Sequence, residues 1–205
     1  METLSEIAAT DQFFVQQRFA PLVNLYRIST VGADGRSEGR PLAYVRQKRM
    51  RIREEINLFA DEAQTVPLLR LRARKVFEFR GRSEVQLPDG QVIGQFQKMF
   101  GASLLRSAWQ IMDAEGAVVA TARESSMAMA VLRRVWGFLP ILENIPFKPP
   151  FHFDVYVGDR NVGRYTRLIA FRDRYVMDLS GDAERVIDRR VAMAFCIALD
   201  ALQDR

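Results

Sequence analysis

The chain has 205 residues, with 30 lysines and arginines, 25 acidic residues and one histidine. This length suits a single domain over residues 1–205, and a domain of this size buries enough surface to fold without disulfides. The lone Cys196 excludes an internal disulfide, and residues 1–10 lack the basic start and apolar run of a secretory signal, so we expect a cytoplasmic protein.

Basic residues are concentrated in one part of the chain. Between Arg46 and Arg82 there are eleven basic and five acidic residues, a local net charge of +6, so the remainder carries −1. A surface of this kind favours polyanionic partners, either lipid headgroups or nucleic acid.

Several segments alternate with period two, as half-buried strands do. Leu69, Leu71 and Ala73 alternate with Arg70, Arg72 and Arg74, and Phe77 and Phe79 continue the apolar parity. Lys75 is the exception on that face, so either a bulge resets the phase or Lys75 points inward. The same alternation predicts a strand over 151–157.

Acidic or Gly-containing turns recur between these segments, at Asp34-Gly35, Asp89-Gly90, Glu115-Gly116 and Gly158-Asp159. Acidic-Gly pairs supply the positive φ that tight hairpin turns require. Since parallel strands would need long crossovers, the pattern predicts a meander of antiparallel hairpins.

Two stretches interrupt the strand pattern. The first predicts a short helix over 126–137 followed by a proline-rich insertion to residue 150. This stretch either plugs one end of a barrel or faces a membrane. In the second case Arg133, Arg134, Trp136 and Phe138 would meet the lipid interface.

The second stretch, Val191 to Leu199, is apolar on every side and too short to span a membrane, for which about 20 residues are needed. Such a helix must be buried in protein, and in a chain of hairpins the natural place is inside a closed sheet. We therefore predict a central helix over 183–203, with Asp182 as its N-cap.

The basic residues Arg46, Lys48, Arg70, Arg72 and Arg74 form the predicted anion- or lipid-binding site. The alternative is that glutamates across the sheet (Glu54, Glu55 or Glu78) neutralise the arginines. Base stacking is disfavoured because Phe77 and Phe79 fall on the buried parity. This argues against a nucleic-acid partner and leaves sequence-independent phosphate contact as the way such a partner would bind. A protein partner remains the alternative to a membrane.

Motifs for an enzyme, a cofactor or a metal site are missing from the sequence. His152 and Asp154 share a strand face and could act as a base and its orienting carboxylate, but no nucleophile accompanies them. The acidic pairs Glu54-Glu55 and Asp61-Glu62 each place one carboxylate on either side of a strand, which suits a solvated hairpin better than a cation site.

The succession of short motifs resembles the tubby C-terminal-like superfamily, and most closely its LURP-one-related and phospholipid scramblase-like branch. The similarity is carried by segments 14–18, 43–48, 57–62, 71–75, 89–94 and 107–109, together with the C-terminal helix. It implies a closed antiparallel barrel of about twelve strands around that helix, with no catalytic activity and a link to membranes or lipids. We accordingly expect a cytoplasmic barrel, peripheral at the inner membrane face, that binds an anionic or lipidic ligand. A regulatory module that binds protein or nucleic acid is the alternative.

Overall fold

A computed structural model describes residues 2–20, 23–48, 55–73, 82–99, 108–125, 152–168 and 173–203. In chain order its elements are α1 (Glu2–Ala9), β1 (Gln12–Ala20), β2 (Val23–Val31), β3 (Glu38–Lys48), β4 (Glu55–Phe59), β5 (Pro67–Ala73), β6 (Arg82–Gln86), β7 (Val92–Met99), β8 (Ala108–Met112), β9 (Val118–Glu124), β10 (His152–Val157), β11 (Arg160–Leu168), β12 (Arg174–Asp178) and α2 (Arg189–Gln203). The predicted short helix near 126–137, the proline-rich insertion and the orientation of Lys75 lie outside the described residues.

The twelve strands form one closed barrel. Consecutive strands pair antiparallel, and β1 also pairs with β12, so the described strands close into a ring. This confirms the predicted meander and the twelve-stranded antiparallel barrel. Closure follows because hairpin-connected strands with one apolar face bury it most completely when the sheet curls onto itself.

The two rims of the barrel differ. At one, here called the turn rim, tight connections join β2 to β3, β4 to β5, β6 to β7, β8 to β9 and β10 to β11. The opposite rim, called the far rim, is where β3 ends and β4 begins and where β5 ends and β6 begins.

Four of the five connections at the turn rim are the acidic-Gly turns identified in the sequence. Gly90 has φ +90°, which only glycine adopts without strain. In the β2–β3 turn the Asp34 carboxylate accepts hydrogen bonds from the backbone N–H groups of Arg36 and Ser37. Those bonds lower the pKa of Asp34 to about 2. The local chemistry of these turns therefore favours the hairpins without help from long-range contacts.

Helix α2 fills the barrel, as predicted. Every residue from Val191 to Asp200 is buried. Phe195 packs against Phe96 and Trp109 of the wall, with ring centroids 5.4 and 5.8 Å apart. Gly94 allows the helix to approach the sheet, since a Cβ there would come within 2.5 Å of Val191 Cγ2. The helix is thus the centre of the hydrophobic core.

The predicted start of this helix at residue 183, with Asp182 as N-cap, is wrong. The helix begins at Arg189, and Asp188 accepts a hydrogen bond from the backbone N–H of Arg190, as an N-cap does. Asp182 instead caps the preceding turn, where it accepts from the N–H groups of Val186 and Ile187. Both aspartates satisfy the sequence rule for an N-cap, and only the path of the chain into the barrel selects between them.

Arg189 ties the first turn of α2 to the turn rim through a buried ion network. Its guanidinium donates to Asp182 Oδ2 at 2.6 Å, to Asp11 Oδ1 at 2.8 Å and to the carbonyls of Leu179, Asp182 and Ile187. The side chains of Arg189 and Asp182 are 2% and 0% exposed. Because the charges are paired and hydrogen-bonded, this arginine can be buried at the mouth of the barrel.

The N-terminal helix α1 was not predicted. It lies beside α2, its Ile7 is fully buried, and the carbonyl of Ala8 accepts a hydrogen bond from Arg185. Neither of the helices in the described part of the chain is both long enough and apolar enough to cross a bilayer.

Candidate functional site

The predicted arginine ladder lies on the outer face of β5, and the structure brings acidic residues beside it. Arg70 and Arg72 are exposed, while Leu69 and Leu71, which alternate with them, face the core. In register, Arg72 stands between Glu55 of β4 and Glu84 of β6. Arg70 Nε lies 3.4 Å from Glu55 Oε1. The ladder is therefore partly neutralised by its neighbours, as the alternative interpretation expected of Glu55.

A second group of arginines, closer to β1, has no such neighbours. Arg46 is exposed on β3, and Arg18 is exposed on β1. Both are register partners of Leu25 on the intervening strand β2, so their backbones are two strand spacings, about 10 Å, apart. Among the described residues, no carboxylate lies within ion-pairing distance of either guanidinium. Arg18 was missed by the sequence reasoning. Phe13, Val15 and Gln17 mark the inward face of β1, so the next residue, Arg18, falls on the outward face.

The remaining predicted site residues cannot be placed. Lys48 is the last residue of β3, and the structure describes its backbone but not its side chain. The others lie outside the described residues: Arg74, Arg133, Arg134, Trp136 and Phe138.

Arginines elsewhere on the barrel are mostly engaged by acidic partners. Arg27 Nη1 lies 3.2 Å from Glu38 Oε1, and Arg164 Nε lies 2.6 Å from Asp154 Oδ1. Arg167 forms an ion pair with Asp173. Against this background, exposed arginines without an acidic partner stand out as groups available to an external anion.

The hypothetical dyad of His152 and Asp154 is not assembled. The two residues share the outer face of β10, but the Asp154 carboxylate is bound by Arg164. His152 Nδ1 has no hydrogen-bond partner among the described residues. Asp61, from one of the acidic pairs, is likewise occupied, because it accepts from the backbone N–H groups of Thr65 and Val66.

The environment of His152 predicts a depressed pKa. Partial burial, followed by the charge of Arg164, lowers the pKa of His152 below its ordinary value of 6.5, and Asp154 opposes the shift. The unfolded chain then binds more protons than the folded one just below pH 6.5, so this group lowers the free energy of unfolding as the pH falls through that range. Since His152 is the only histidine, an NMR titration of the imidazole should report a pKa below 6.5, and a value above it would contradict the prediction.

The structure also reveals an inner polar cluster that the sequence reasoning missed. Gln17, Asn24 and Gln47 lie on the neighbouring strands β1, β2 and β3, near the far rim, and each is more than nine-tenths buried. Asn24 and Gln47 are register partners, and the inward parity of Gln47 is that of Val45. The available signal was a polar residue at the buried parity of two strands, Gln17 after Val15 and Gln47 after Val45.

The end of α2 meets this cluster through Asp200. The Asp200 carboxylate accepts hydrogen bonds from the hydroxyls of Tyr26, at 2.8 Å, and Tyr175. Gln17 Nε2 donates to the Tyr26 hydroxyl at 3.4 Å. Burial and the adjacent charge of Asp200 raise the pKa of Tyr175, so its hydroxyl stays protonated and donates. The far rim thus has a polar interior, whereas the middle of the barrel is apolar.

A profile of the LURP-one-related family matches residues 42–200, which include β4 to β12 and most of α2. The chain belongs to the LURP-one-related family. A comparison with curated protein sequences gives no match.

Membership of the LURP-one-related family places the chain in the tubby-like superfamily, which confirms the predicted resemblance. LURP-one-related proteins are a non-catalytic family of tubby-like barrels. The observed barrel around a C-terminal helix agrees with that assignment. Because the family is non-catalytic, the candidate functional residues of this LURP-one-related chain are those of its binding surfaces.

Proposed function

We propose that this LURP-one-related barrel is a non-enzymatic protein that binds anionic phospholipid surfaces through exposed arginines near the far rim. The observation that carries the proposal is the arrangement of Arg18 and Arg46. They flank Leu25 on the outer face and lie beyond ion-pairing distance of any described carboxylate. Two guanidinium groups without a described acidic partner, on strands whose backbones are about 10 Å apart beside an aliphatic side chain, suit lipid phosphates beside acyl chains.

The position of the strand ends supports the same surface. β3 ends at Lys48 and β5 ends at Ala73 on the far rim, and β9 ends and β10 begins on that rim as well. The basic run between Arg46 and Arg82 and the apolar sequence of 127–142 are therefore both connected to strand ends on one side of the molecule.

The proposed binding residues extend the pair formed by Arg18 and Arg46. They include Lys48, Arg70, Arg72 and Arg74 as further anion-binding groups, and Arg133, Arg134, Trp136 and Phe138 as the membrane-facing group. The partner is the inner face of the membrane, contacted from the cytoplasm. Each basic group near an anionic surface contributes about 1 kcal/mol, so only several acting together hold the protein there.

Co-sedimentation with vesicles tests this function. The full chain is expected to bind vesicles that contain an anionic phospholipid and not neutral vesicles, and binding should weaken between low and physiological salt because the phosphate charges are screened. The double variant Arg18→Glu with Arg46→Glu should lower the partition coefficient by at least ~30-fold, since two groups at about 1 kcal/mol each are removed.

The matched control is Arg36→Glu with Arg160→Glu, two exposed arginines in the turn rim. It changes the net charge by the same amount and should leave most of the binding intact. An equal loss in the control would mean that total charge alone drives binding, and unchanged binding in the double variant would exclude the proposed surface. If the unmodified protein binds neither kind of vesicle, the proposal fails and a protein partner becomes the better hypothesis.

A further inference from the structure

The inner polar cluster contains a buried amide whose hydrogen-bonding capacity is unused. Gln47 is 6% exposed, and neither its Nε2 nor its Oε1 has a hydrogen-bond partner within the part of the chain that the structure describes. Leaving a buried donor or acceptor unsatisfied costs about 1–3 kcal/mol. Proteins rarely retain such a group without a partner, so this carboxamide indicates a binding position.

Among the described residues, charged side chains on the inner face near this rim are engaged by partners. Arg167 is paired with Asp173, and Asp200 accepts from two tyrosine hydroxyls. The unused hydrogen-bonding capacity of the Gln47 side chain therefore belongs to a neutral amide. The paired charges of Arg167 and Asp173 offer no free counter-charge to an ionic ligand. A neutral ligand has a lower desolvation cost in such a place than an ion.

Gln47 lies near one end of the barrel wall. β3 ends one residue after it, at Lys48, and β2 begins one residue before its register partner Asn24. The mouth of a barrel is a common position for small-molecule sites.

We propose that the far-rim mouth, at Gln47, binds a small neutral molecule that presents a hydrogen-bond donor next to an acceptor, as a carboxamide or the edge of an adenine does. A glutamine side chain carries a donor and an acceptor on one planar group, so it forms two parallel hydrogen bonds with such an edge. Asn24 and Gln17, on the adjacent strands, would line the same site. This inner site is independent of the exposed arginines on the outer face.

Ligand-observed NMR on the full chain tests the site with defined probes. Acetamide represents a carboxamide and 9-methyladenine a nucleobase, and N,N-dimethylacetamide and N6,N6,9-trimethyladenine are matched controls that lack every N–H donor. Saturation transfer is expected for at least one of the two probes and should be lost for its methylated control. The probe that gives the signal identifies the source of the amide-like edge. Absence of transfer to both probes would overturn the proposal.

The variant Gln47→Met keeps the length of the side chain and removes both polar atoms. It should abolish saturation transfer, whereas Gln97→Met, on the outward parity of β7, should not. Without a probe, Gln47→Met is expected to unfold at the same temperature as the unmodified protein or higher, because an unsatisfied polar group has been removed. A lower unfolding temperature, or transfer that persists in Gln47→Met, would show that Gln47 has a structural role only.

Discussion

Replacing Arg189 by methionine should lower the free energy of unfolding by about 3–5 kcal/mol, measured by urea denaturation. Methionine retains much of the volume of the side chain but removes its charge and all of its hydrogen bonds. The carboxylate of Asp182, whose side chain is fully buried, then loses its cationic partner. The carbonyls of Leu179 and Ile187 lose a donor at the same time. Most of the expected loss comes from this uncompensated buried charge.

The adjacent Arg190 provides the control. Its guanidinium pairs with Asp188, but both side chains are about 30% exposed, at 28% and 30%. Solvent screens this pair, so Arg190→Met should cost no more than about 1 kcal/mol. Equal effects of the two variants would contradict the view that burial of the Arg189–Asp182 pair is what anchors the start of α2.

Truncating Phe195 to alanine should lower the free energy of unfolding by about 3–5 kcal/mol, also measured by denaturation. Phe195 is fully buried in α2 and packs edge-on against Trp109 and at a tilt against Phe96. The closed wall of hydrogen-bonded strands limits how far the surroundings can collapse into the cavity. The cost is therefore expected at the upper end of the range for core aromatics.

Phe195→Leu is the graded comparison, because it removes fewer atoms and should cost clearly less than the alanine variant. The change in Trp109 fluorescence offers a second measurement, since this indole contacts the Phe195 ring directly. If Phe195→Ala left both the unfolding transition and the fluorescence unchanged, α2 could not be the centre of the core.

The two ends of α2 are held in different ways, which bears on function. At the turn rim, the Arg189 guanidinium donates to the carboxylates of Asp11 and Asp182 and to backbone carbonyls. At the far rim, Asp200 meets tyrosine hydroxyls beside the amide of Gln47, which has no partner in the described structure. The donors of Arg189 are therefore occupied by protein acceptors, whereas the amide of Gln47 still has hydrogen bonds to make. Binding is for that reason proposed at the far rim.

Much of the fold could be predicted because its determinants are local. The acidic-Gly turns specify the hairpins, and the apolar Val191–Leu199 run requires an enclosed helix. The faces of β5 follow from the alternation of leucines with arginines at positions 69 to 72. The candidate site was harder to predict. Whether an arginine is free depends on which strand lies beside it, and Glu55 beside Arg70 follows from register rather than from sequence spacing.

By itself, the sequence determined the strand periodicity, the hairpin turns and the burial of the terminal helix, because each depends on residues within a few positions of one another. Only the tertiary structure decided that Asp188 rather than Asp182 caps the helix, that Arg18 joins Arg46 across Leu25, and that Gln47 is buried without a partner. These features depend on the register of strands and on the depth to which the helix enters the barrel. Both are set by the closure of the whole sheet, a property that no local segment carries.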